Sequence, residues 1–330
     1  MNCAVIGAGA WGTALANVLA ANGHRVALWA REPDVVDAVN HTRENRRFLP
    51  GVCVADGVVA TGNIDDALGG AELVIYVAPS HALRAVVESG AASVRADAVL
   101  VVASKGIERE SLEIMSDVVA DTLPSHSVVA LSGPTFAAEV ANGQPTAVVA
   151  ASTDGAAAEC VQRALSSEVF RVYTHDDVIG VELGGALKNV MAVATGIADG
   201  LGLGFNSRAA LITRGLAEMT RLGVALGASQ ATFAGLAGLG DLVLTCTGAL
   251  SRNRALGIEI GKGSTLEQAL AGKDTVAEGV LNTISARALA EREGVDMPIV
   301  HAVHRILFEN QPPRRAIAEL MRRELRSEQD

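Results

Sequence analysis

Cysteine is scarce in this 330-residue sequence, and the four cysteines lie far apart, at positions 3, 53, 160 and 246. No Cys-x-x-Cys pair occurs, and no cysteine groups with histidine at metal-ligand spacing, so neither a zinc site nor a disulfide framework is predicted. His301 and His304 share one helical face, but the sequence offers them no further ligands, and we expect no bound metal. A reducing compartment fits this pattern best.

Positive charge and long apolar runs are also lacking. The 27 Lys and Arg against 37 Asp and Glu leave a net charge of −10, whereas nucleic acids and anionic membranes require a broad basic face. The apolar stretch 190–205 is interrupted by Asp199 and bordered by Lys188, and the N-terminus has no basic region typical of a signal peptide. We therefore predict a soluble, cytoplasmic protein that binds no nucleic acid, does not insert into membranes, and meets anionic ligands with a local group of cations.

The chain begins with a pattern typical of dinucleotide binding. An apolar run at residues 3–6 leads directly into a Gly-x-Gly-x-x-Gly turn, formed by Gly7, Gly9 and Gly12, and then into a helical pattern at residues 13–21. This order places backbone N–H groups and the positive end of a helix where a pyrophosphate can bind. The first glycine allows a tight turn, the second lets phosphates approach the backbone, and the third lets helix and strand pack closely. The alternative is a glycine-rich turn that binds nothing.

Hydrophobic residues make up 49% of the sequence, which is ample for buried cores. In the first half, continuous apolar runs alternate with helical patterns, as in a parallel sheet covered by helices on both faces. The predicted strands are residues 3–6, 26–30, 73–78, 99–103, 128–131 and 146–150. From about Asp176 helical patterns dominate. We predict an α/β, Rossmann-like, doubly wound dinucleotide-binding domain over residues 1–180, followed by an all-α substrate-binding domain over residues 181–330.

The end of the second predicted strand bears on the choice of coenzyme. A carboxylate at this point usually binds the ribose hydroxyls of NAD, but here Arg31 comes first and Glu32 follows. The Arg31 guanidinium could bind the 2′-phosphate of NADP, while Glu32 could still serve a ribose. Use of both coenzymes is expected, with NADPH somewhat favoured. The alternative is that Arg31 is only an exposed loop cation.

Lys188 is the candidate general acid and base. Residues 178–204 are predicted as a helix in which Gly184, Lys188 and Thr195 share one face, and apolar neighbours partly desolvate the lysine. Desolvation lowers the pKa of a lysine toward the range useful for proton transfer. The amide of Asn189 would orient or bind the substrate. The alternative is a surface lysine that extends its amine to water.

Two further segments suggest a polar site. Asp241 is a single carboxylate in an apolar, glycine-rich turn at residues 235–242, and it could bind Lys188 or a substrate hydroxyl, or simply cap a helix. Ten residues on, Ser251, Arg252 and Asn253 precede a helical pattern. Their hydroxyl, guanidinium and amide groups, together with the N–H groups at the start of a helix, suit a phosphate.

Seven motifs, in order along the chain, resemble the NAD(P)-dependent glycerol-3-phosphate dehydrogenase family in its bacterial form. They are GAGAWGT at residues 7–13, SKG at 104–106, SGPTFA at 132–137, LKN at 187–189, GLGDL at 238–242, SRN at 251–253 and VAEG at 276–279. The resemblance implies a Rossmann domain followed by an all-helical domain (6-phosphogluconate-dehydrogenase-like), with the active site between them. It also implies reduction of dihydroxyacetone phosphate to sn-glycerol 3-phosphate for phospholipid synthesis.

The resemblance further implies a role for individual residues. Lys188 is the proton acceptor for the alcohol, and Lys105 contacts both substrate and cofactor. The substrate site is completed by Gly133, Thr135, Asp241, Ser251, Arg252 and Asn253. The residues that line the dinucleotide, beyond the three glycines, are Ala10, Trp11, Arg31, Ala137, Arg252, Val276 and Glu278. Ala10 keeps a backbone contact but offers no hydroxyl.

The residues alone leave two rival functions open. A β-hydroxyacid or 6-phosphogluconate-type dehydrogenase shares the two-domain plan and a helix-borne Lys-Asn pair, but favours a carboxylate substrate. A non-catalytic dinucleotide-binding redox sensor would keep the glycine turn without needing Lys188, Asp241 and the cation cluster together. The only partner expected is a small phosphorylated triose, and a homodimer is possible.

Overall fold

Ten strands define the α/β half of the protein. The computed structural model describes residues 1–272, 278–325 and 327–328. Within them the strands are β1 (Asn2–Ile6), β2 (Arg25–Trp29), β3 (Glu44–Asn45), β4 (Leu49–Cys53), β5 (Val58–Thr61), β6 (Leu73–Tyr76), β7 (Val99–Val102), β8 (Val128–Ser132), β9 (Thr146–Ala151) and β10 (Phe170–His175). All six predicted strands are present, with ends that differ by one or two residues.

Eight of these strands form one sheet, in the order β10-β9-β8-β7-β6-β1-β2-β5, and β3 and β4 pair as a separate antiparallel hairpin. Neighbours in the large sheet are parallel except β8 and β9, which pair antiparallel. The chain order reverses between β1 and β6, where a doubly wound sheet binds its ligand. The predicted doubly wound α/β fold is thus confirmed, whereas the purely parallel sheet is wrong at the β8–β9 step.

Helices cover both faces of the sheet and dominate the described residues from Val178 onward. They are α1 (Ala10–Ala21), α2 (Pro33–Thr42), α3 (Ile64–Leu68), α4 (Leu83–Gly90), α5 (Met115–Thr122), α6 (Ala137–Ala141), α7 (Gly155–Leu165), α8 (Val178–Gly200), α9 (Phe205–Ala225), α10 (Gln230–Phe233), α11 (Asp241–Thr247), α12 (Arg252–Gly261), α13 (Leu266–Leu270), α14 (Glu278–Glu293), α15 (Pro298–Phe308) and α16 (Pro313–Met321). Successive β1 side chains enter opposite apolar layers, Val5 one and Ile6 the other.

Helix α8 is the core of the helical half. Every residue from Gly180 to Ala198 is buried, and a third apolar cluster forms around this helix. It is long and apolar enough to cross a membrane, but 89% of its most apolar window is buried inside the protein, so it is a core helix. The helix ends four residues earlier than predicted because Gly202 adopts a left-handed φ of +76° and turns the chain. The predicted domain division at residues 180 and 181 falls within α8 and stays a prediction.

Candidate active site

The glycine turn lies at the junction of β1 and β6. Gly7 has φ +124°, and a Cβ there would lie 2.9 Å from the Val77 carbonyl oxygen. A Cβ on Gly12 would lie 1.9 Å from the Gly7 carbonyl oxygen, so only glycine lets α1 pack this closely. In contrast, a Cβ on Gly9 would meet nothing within 4 Å. The open side of Gly9 and the start of α1 therefore form a cradle that fits a dinucleotide pyrophosphate.

Arg31 follows β2 at the same edge of the sheet. Its side chain is 82% exposed, and its guanidinium bonds the Glu32 carboxylate at 2.8 Å. The two residues that were predicted to choose between NADP and NAD thus bind one another on the surface. The arrangement leaves the guanidinium accessible to a phosphate.

Two lysines converge on one buried carboxylate. Lys188 in α8 is 7% exposed and donates to Asp241 Oδ1, while Lys105, which follows β7, donates to Asp241 Oδ2 at 2.7 Å. The Lys105 amine also donates to the Gly133 carbonyl oxygen at 3.0 Å. Asp241 is fully buried, and the cap of α11 is Gly240, so the capping alternative is wrong. The surface alternative for Lys188 is wrong too.

The charge state of Lys188 follows from these neighbours. Burial lowers the pKa of its amine to about 8; the Asp241 carboxylate opposes this shift, and the Lys105 ammonium adds to it. Two ammonium groups facing one carboxylate leave a net positive charge of one. Such a site suits an oxygen that becomes negative during a reaction.

Missing side chains on α8 let neighbouring segments approach the helix beside Lys188. A Cβ on Gly184, one turn before Lys188, would lie 2.5 Å from the Ala237 carbonyl oxygen. Ala237 belongs to a π-helical turn, Leu236–Gly240, that ends directly before Asp241, and π-helical turns frequently occur at functional sites. A Cβ on Gly185 would lie 2.7 Å from the Ser132 hydroxyl oxygen, at the end of β8. Gly184 thus lets the turn that carries Asp241 approach α8, and Gly185 lets the end of β8 do so.

The predicted phosphate cluster forms the start of α12. Ser251 caps this helix by accepting from the Arg254 N–H at 3.2 Å, and Arg252 is exposed. Asn253 donates to Asn189 Oδ1 at 2.9 Å, next along α8 from Lys188. The start of α12, with its first N–H groups, therefore packs against the residue that follows the lysine, and such a helix start suits an anion.

Glycines hold α12 against α8. A Cβ on Gly196 would lie 2.2 Å from the Arg254 carbonyl oxygen, and one on Gly257 would lie 2.2 Å from that of Val193. Gly200 and Gly261 repeat this contact one turn later. The helices run side by side in the same direction, which keeps the start of α12 level with Asn189.

Of the other predicted cofactor residues, those that the structure describes lie at the starts of helices. Ala10 begins α1, and the buried Trp11 Nε1 has no hydrogen-bond partner among the described residues. Ala137 begins α6, which packs against α1. Glu278 accepts from Ser80 Oγ at 2.7 Å, while Val276 lies outside the described residues.

The comparisons with known proteins agree along the whole chain. Family models described as the N-terminus and the C-terminus of NAD-dependent glycerol-3-phosphate dehydrogenase match residues 2–158 and 177–318. This chain belongs to that family. A glycerol-3-phosphate dehydrogenase (NAD(P)+) from Trichlorobacter lovleyi is 56% identical over 100% of both chains, and one from Syntrophotalea carbinolica is 52% identical over 100% of both.

A solved member of the family has the same fold. The crystal structure of glycerol-3-phosphate dehydrogenase from Coxiella burnetii matches with a TM-score of 0.94 and 42% identity, covering 98% of this chain and 99% of that one. As a member of the glycerol-3-phosphate dehydrogenase family, the chain is an NAD(P)-dependent oxidoreductase acting on a CH–OH group, which confirms the predicted enzyme class and cofactor. The β-hydroxyacid dehydrogenase and the non-catalytic sensor are thereby set aside.

Two serines near the candidate site were given no role from the sequence. Thr135, which the sequence did single out, donates to the Gly133 carbonyl oxygen at 3.2 Å. Ser80 donates to the Glu278 carboxylate, and Ser132 has a buried hydroxyl without a partner among the described residues. Both serines follow or end sheet strands at their carboxyl ends. That position was the available signal for them.

Proposed function

We propose that the protein reduces dihydroxyacetone phosphate to sn-glycerol 3-phosphate, with NADPH or NADH as the reductant. The observation that carries this proposal is the buried pair of Lys188 and Asp241, faced by Lys105 at the carboxyl edge of the sheet. A proton donor, a second cation and a dinucleotide cradle on one edge of a sheet are what reduction of a ketone requires.

The chemistry of the chain centres on Lys188 Nζ. The nicotinamide ring, when bound, supplies a hydride to the carbonyl carbon. As an ammonium, Lys188 donates a proton to the carbonyl oxygen as negative charge develops there; as a neutral amine, it accepts the hydroxyl proton in the reverse reaction. A pKa of about 8 keeps both forms accessible near neutral pH. The positive charge of Lys105 stabilises the oxyanion, and Asp241 holds both amines in place.

The phosphate of the substrate is assigned to the start of α12. The first N–H groups of that helix, the Ser251 hydroxyl and the exposed Arg252 guanidinium offer hydrogen bonds to a phosphate, and that of Arg252 is charge-assisted. Asn253 and Asn189 fix that helix start beside Lys188. The remaining substrate contacts are assigned to Lys105, Gly133, Thr135 and Asp241.

The dinucleotide is assigned to the cleft over the glycine turn. The residues proposed to hold it are Gly7, Gly9, Ala10, Trp11, Gly12, Arg31, Lys105, Ala137, Arg252, Val276 and Glu278. NADPH is proposed as the somewhat favoured coenzyme because the accessible Arg31 guanidinium can exchange its Glu32 partner for a 2′-phosphate. Residues 1–180 are proposed to bind the coenzyme and residues 181–330 the substrate.

The proposal extends to the cell. We place the enzyme in the cytoplasm, without membrane insertion, where its product would supply phospholipid synthesis; the four free thiols suit a reducing compartment. A homodimer is also proposed, because the exposed apolar side chains of Phe205 and Met321, 81% and 79% exposed, are surfaces that a second copy could cover. Sedimentation velocity would show a species of twice the chain mass.

One assay tests substrate and coenzyme together. The absorbance of reduced nicotinamide should fall with dihydroxyacetone phosphate and either coenzyme, and Lys188→Ala should lower kcat by about a hundredfold to ten-thousandfold while NADPH still binds. Lys262→Ala is the matched control, because the side chain of that lysine is 59% exposed and its amine bonds Glu259 on the surface. No turnover by the wild-type chain would refute the reaction. Near-normal turnover by Lys188→Ala would remove that residue from its role.

A further inference from the structure

Asn45 lies directly beneath the glycine turn. It is fully buried, and its side-chain amide donates to the Ala8 carbonyl oxygen and to Thr13 Oγ1, each at 2.8 Å. The side-chain oxygen Oδ1 of Asn45 accepts from the Phe48 N–H at 3.1 Å. Both amide hydrogens and the oxygen are therefore used, and two of the three bonds go to the segment that carries the phosphate cradle.

A dedicated hairpin delivers this side chain. Asn45 ends β3, and the β3–β4 hairpin is inserted between α2 and β5 rather than forming part of the large sheet. Arg43 turns the chain into the hairpin with a left-handed φ of +54°, and its guanidinium donates to the Val54 and Val58 carbonyl oxygens at 3.2 and 2.9 Å. These bonds join the residue before β3 to the residues after β4. They therefore hold the hairpin, and with it Asn45, against the glycine turn.

The bond to Ala8 determines which way the next peptide N–H points. In a planar trans peptide the carbonyl oxygen and the N–H lie on opposite sides, so drawing the Ala8 oxygen inward to Asn45 directs the Gly9 N–H outward. Gly9 is the residue whose outer side is open. We propose that Asn45 is a positioning residue for the coenzyme, which aims the Gly9 N–H at the dinucleotide pyrophosphate.

The bond to Thr13 adds a second restraint on the same cradle. Thr13 lies in the first turn of α1, is fully buried, and its N–H donates to the Gly9 carbonyl oxygen at 3.0 Å. One amide group therefore holds the turn and the helix start in a fixed relation before any phosphate binds. Preorganised donors bind an anion more tightly because no ordering has to accompany binding.

The inference rests on the proposed dinucleotide site, and direct binding tests it. Asn45→Ala removes all three bonds, and Asn45→Asp keeps the size and the acceptor for Phe48 but places a carboxylate oxygen against the Ala8 carbonyl. We expect both variants to weaken NADPH binding by about tenfold or more in a fluorescence titration, the scale of leaving a buried acceptor unpaired. Adenosine 2′-monophosphate, which has no pyrophosphate, should bind all variants within about twofold of the wild type by calorimetry.

The control is Asn40→Ala. The Asn40 side chain also makes two hydrogen bonds to the backbone, donating to the Ala60 carbonyl oxygen and accepting from the Ala60 N–H, both at 2.9 Å, but these bonds go to β5 and not to the glycine turn. This variant should bind NADPH normally, and the KM for dihydroxyacetone phosphate should be unchanged in the Asn45 variants at saturating NADPH. An NADPH affinity equal to that of the wild type in the Asn45 variants, or a parallel loss of adenosine 2′-monophosphate binding, would overturn this inference and leave the proposed function standing. Failure of the wild-type chain to bind NADPH would overturn the proposed function with it.

Discussion

Replacing Gly257 with alanine should lower turnover by pushing α12 away from α8. The added Cβ would lie 2.2 Å from the Val193 carbonyl oxygen and 2.9 Å from the Gly196 Cα, and both are backbone atoms that no rotamer change can move. Since ordinary contact begins at 3.4 Å, α12 must shift by about 1 Å. Alanine gains about 1 kcal/mol in helix propensity, but overpacking a core costs about 1–3 kcal/mol, so the expected net effect is a loss of stability.

The shift reaches the substrate because Ser251 and Asn253 begin the displaced helix. A misplacement of about 1 Å can lower a rate by about a hundredfold. We expect kcat/KM for dihydroxyacetone phosphate to fall on that scale, with much less change for unphosphorylated dihydroxyacetone, which does not use the start of α12. NADPH affinity should change much less, because the glycine turn lies on β1 and α1 and, of the residues assigned to the dinucleotide, Arg252 alone lies on α12. Steady-state kinetics with both substrates, together with a thermal melt, measures each part.

Gly155→Ala is the matched control for this substitution. Gly155 begins α7, and a Cβ there would meet nothing within 4 Å. This variant should keep full activity, with stability unchanged or slightly raised. Normal kcat/KM in Gly257→Ala would show that the close helix contact does not set the substrate site, and an equal fall with both substrates would show a general loss of structure instead.

Three further predictions follow from charge. Burial lowers the pKa of Lys188 to about 8 and the Asp241 carboxylate limits this shift, so the kcat of reduction should fall above about pH 8 in the wild type. Asp241→Asn should move that fall to lower pH, and an unmoved pH profile would contradict this. Arg31→Ala should raise the KM for NADPH by about tenfold and leave that for NADH unchanged, and equal effects on both coenzymes would exclude a 2′-phosphate contact. Burial raises the pKa of Glu218 from 4.5 to about 8, so the folded protein binds more protons than the unfolded chain in that range and its free energy of unfolding should decrease as pH rises through it. Glu218→Gln should make the free energy of unfolding less dependent on pH in this range. Urea midpoints at several pH values measure this dependence, and an identical dependence in both proteins would contradict the prediction.

The sequence predicted the interior of the sheet better than its edges. Central strands such as β1 and β6 are covered on both faces and are continuously apolar, which the pattern detects. The edge strands β5 and β10 bury alternate residues only, and runs such as FRVYTH carry polar side chains between apolar ones. The two-residue strand β3 is too short to have a pattern at all. Strands at an edge, or within a hairpin, therefore escaped prediction.

The residues of the candidate site also differ in how well the sequence predicted them. The contact of Lys188 with Asp241 was predicted because a lone charge in an apolar stretch has few structural explanations. Asn45 gave no such signal, since an asparagine among charged residues is common in loops. Its importance depends on a contact between positions 37 residues apart, which only the folded chain shows.

Lys188 belongs to a helix in which every residue from Gly180 to Ala198 is buried, so its position cannot loosen independently of the rest. Enzymes whose catalytic groups stand on loops often lose activity on warming well before the scaffold melts, since those loops open locally. Here the inactivation temperature and the global melting temperature should coincide, and backbone amides around residue 188 should be among the slowest to exchange with deuterated solvent.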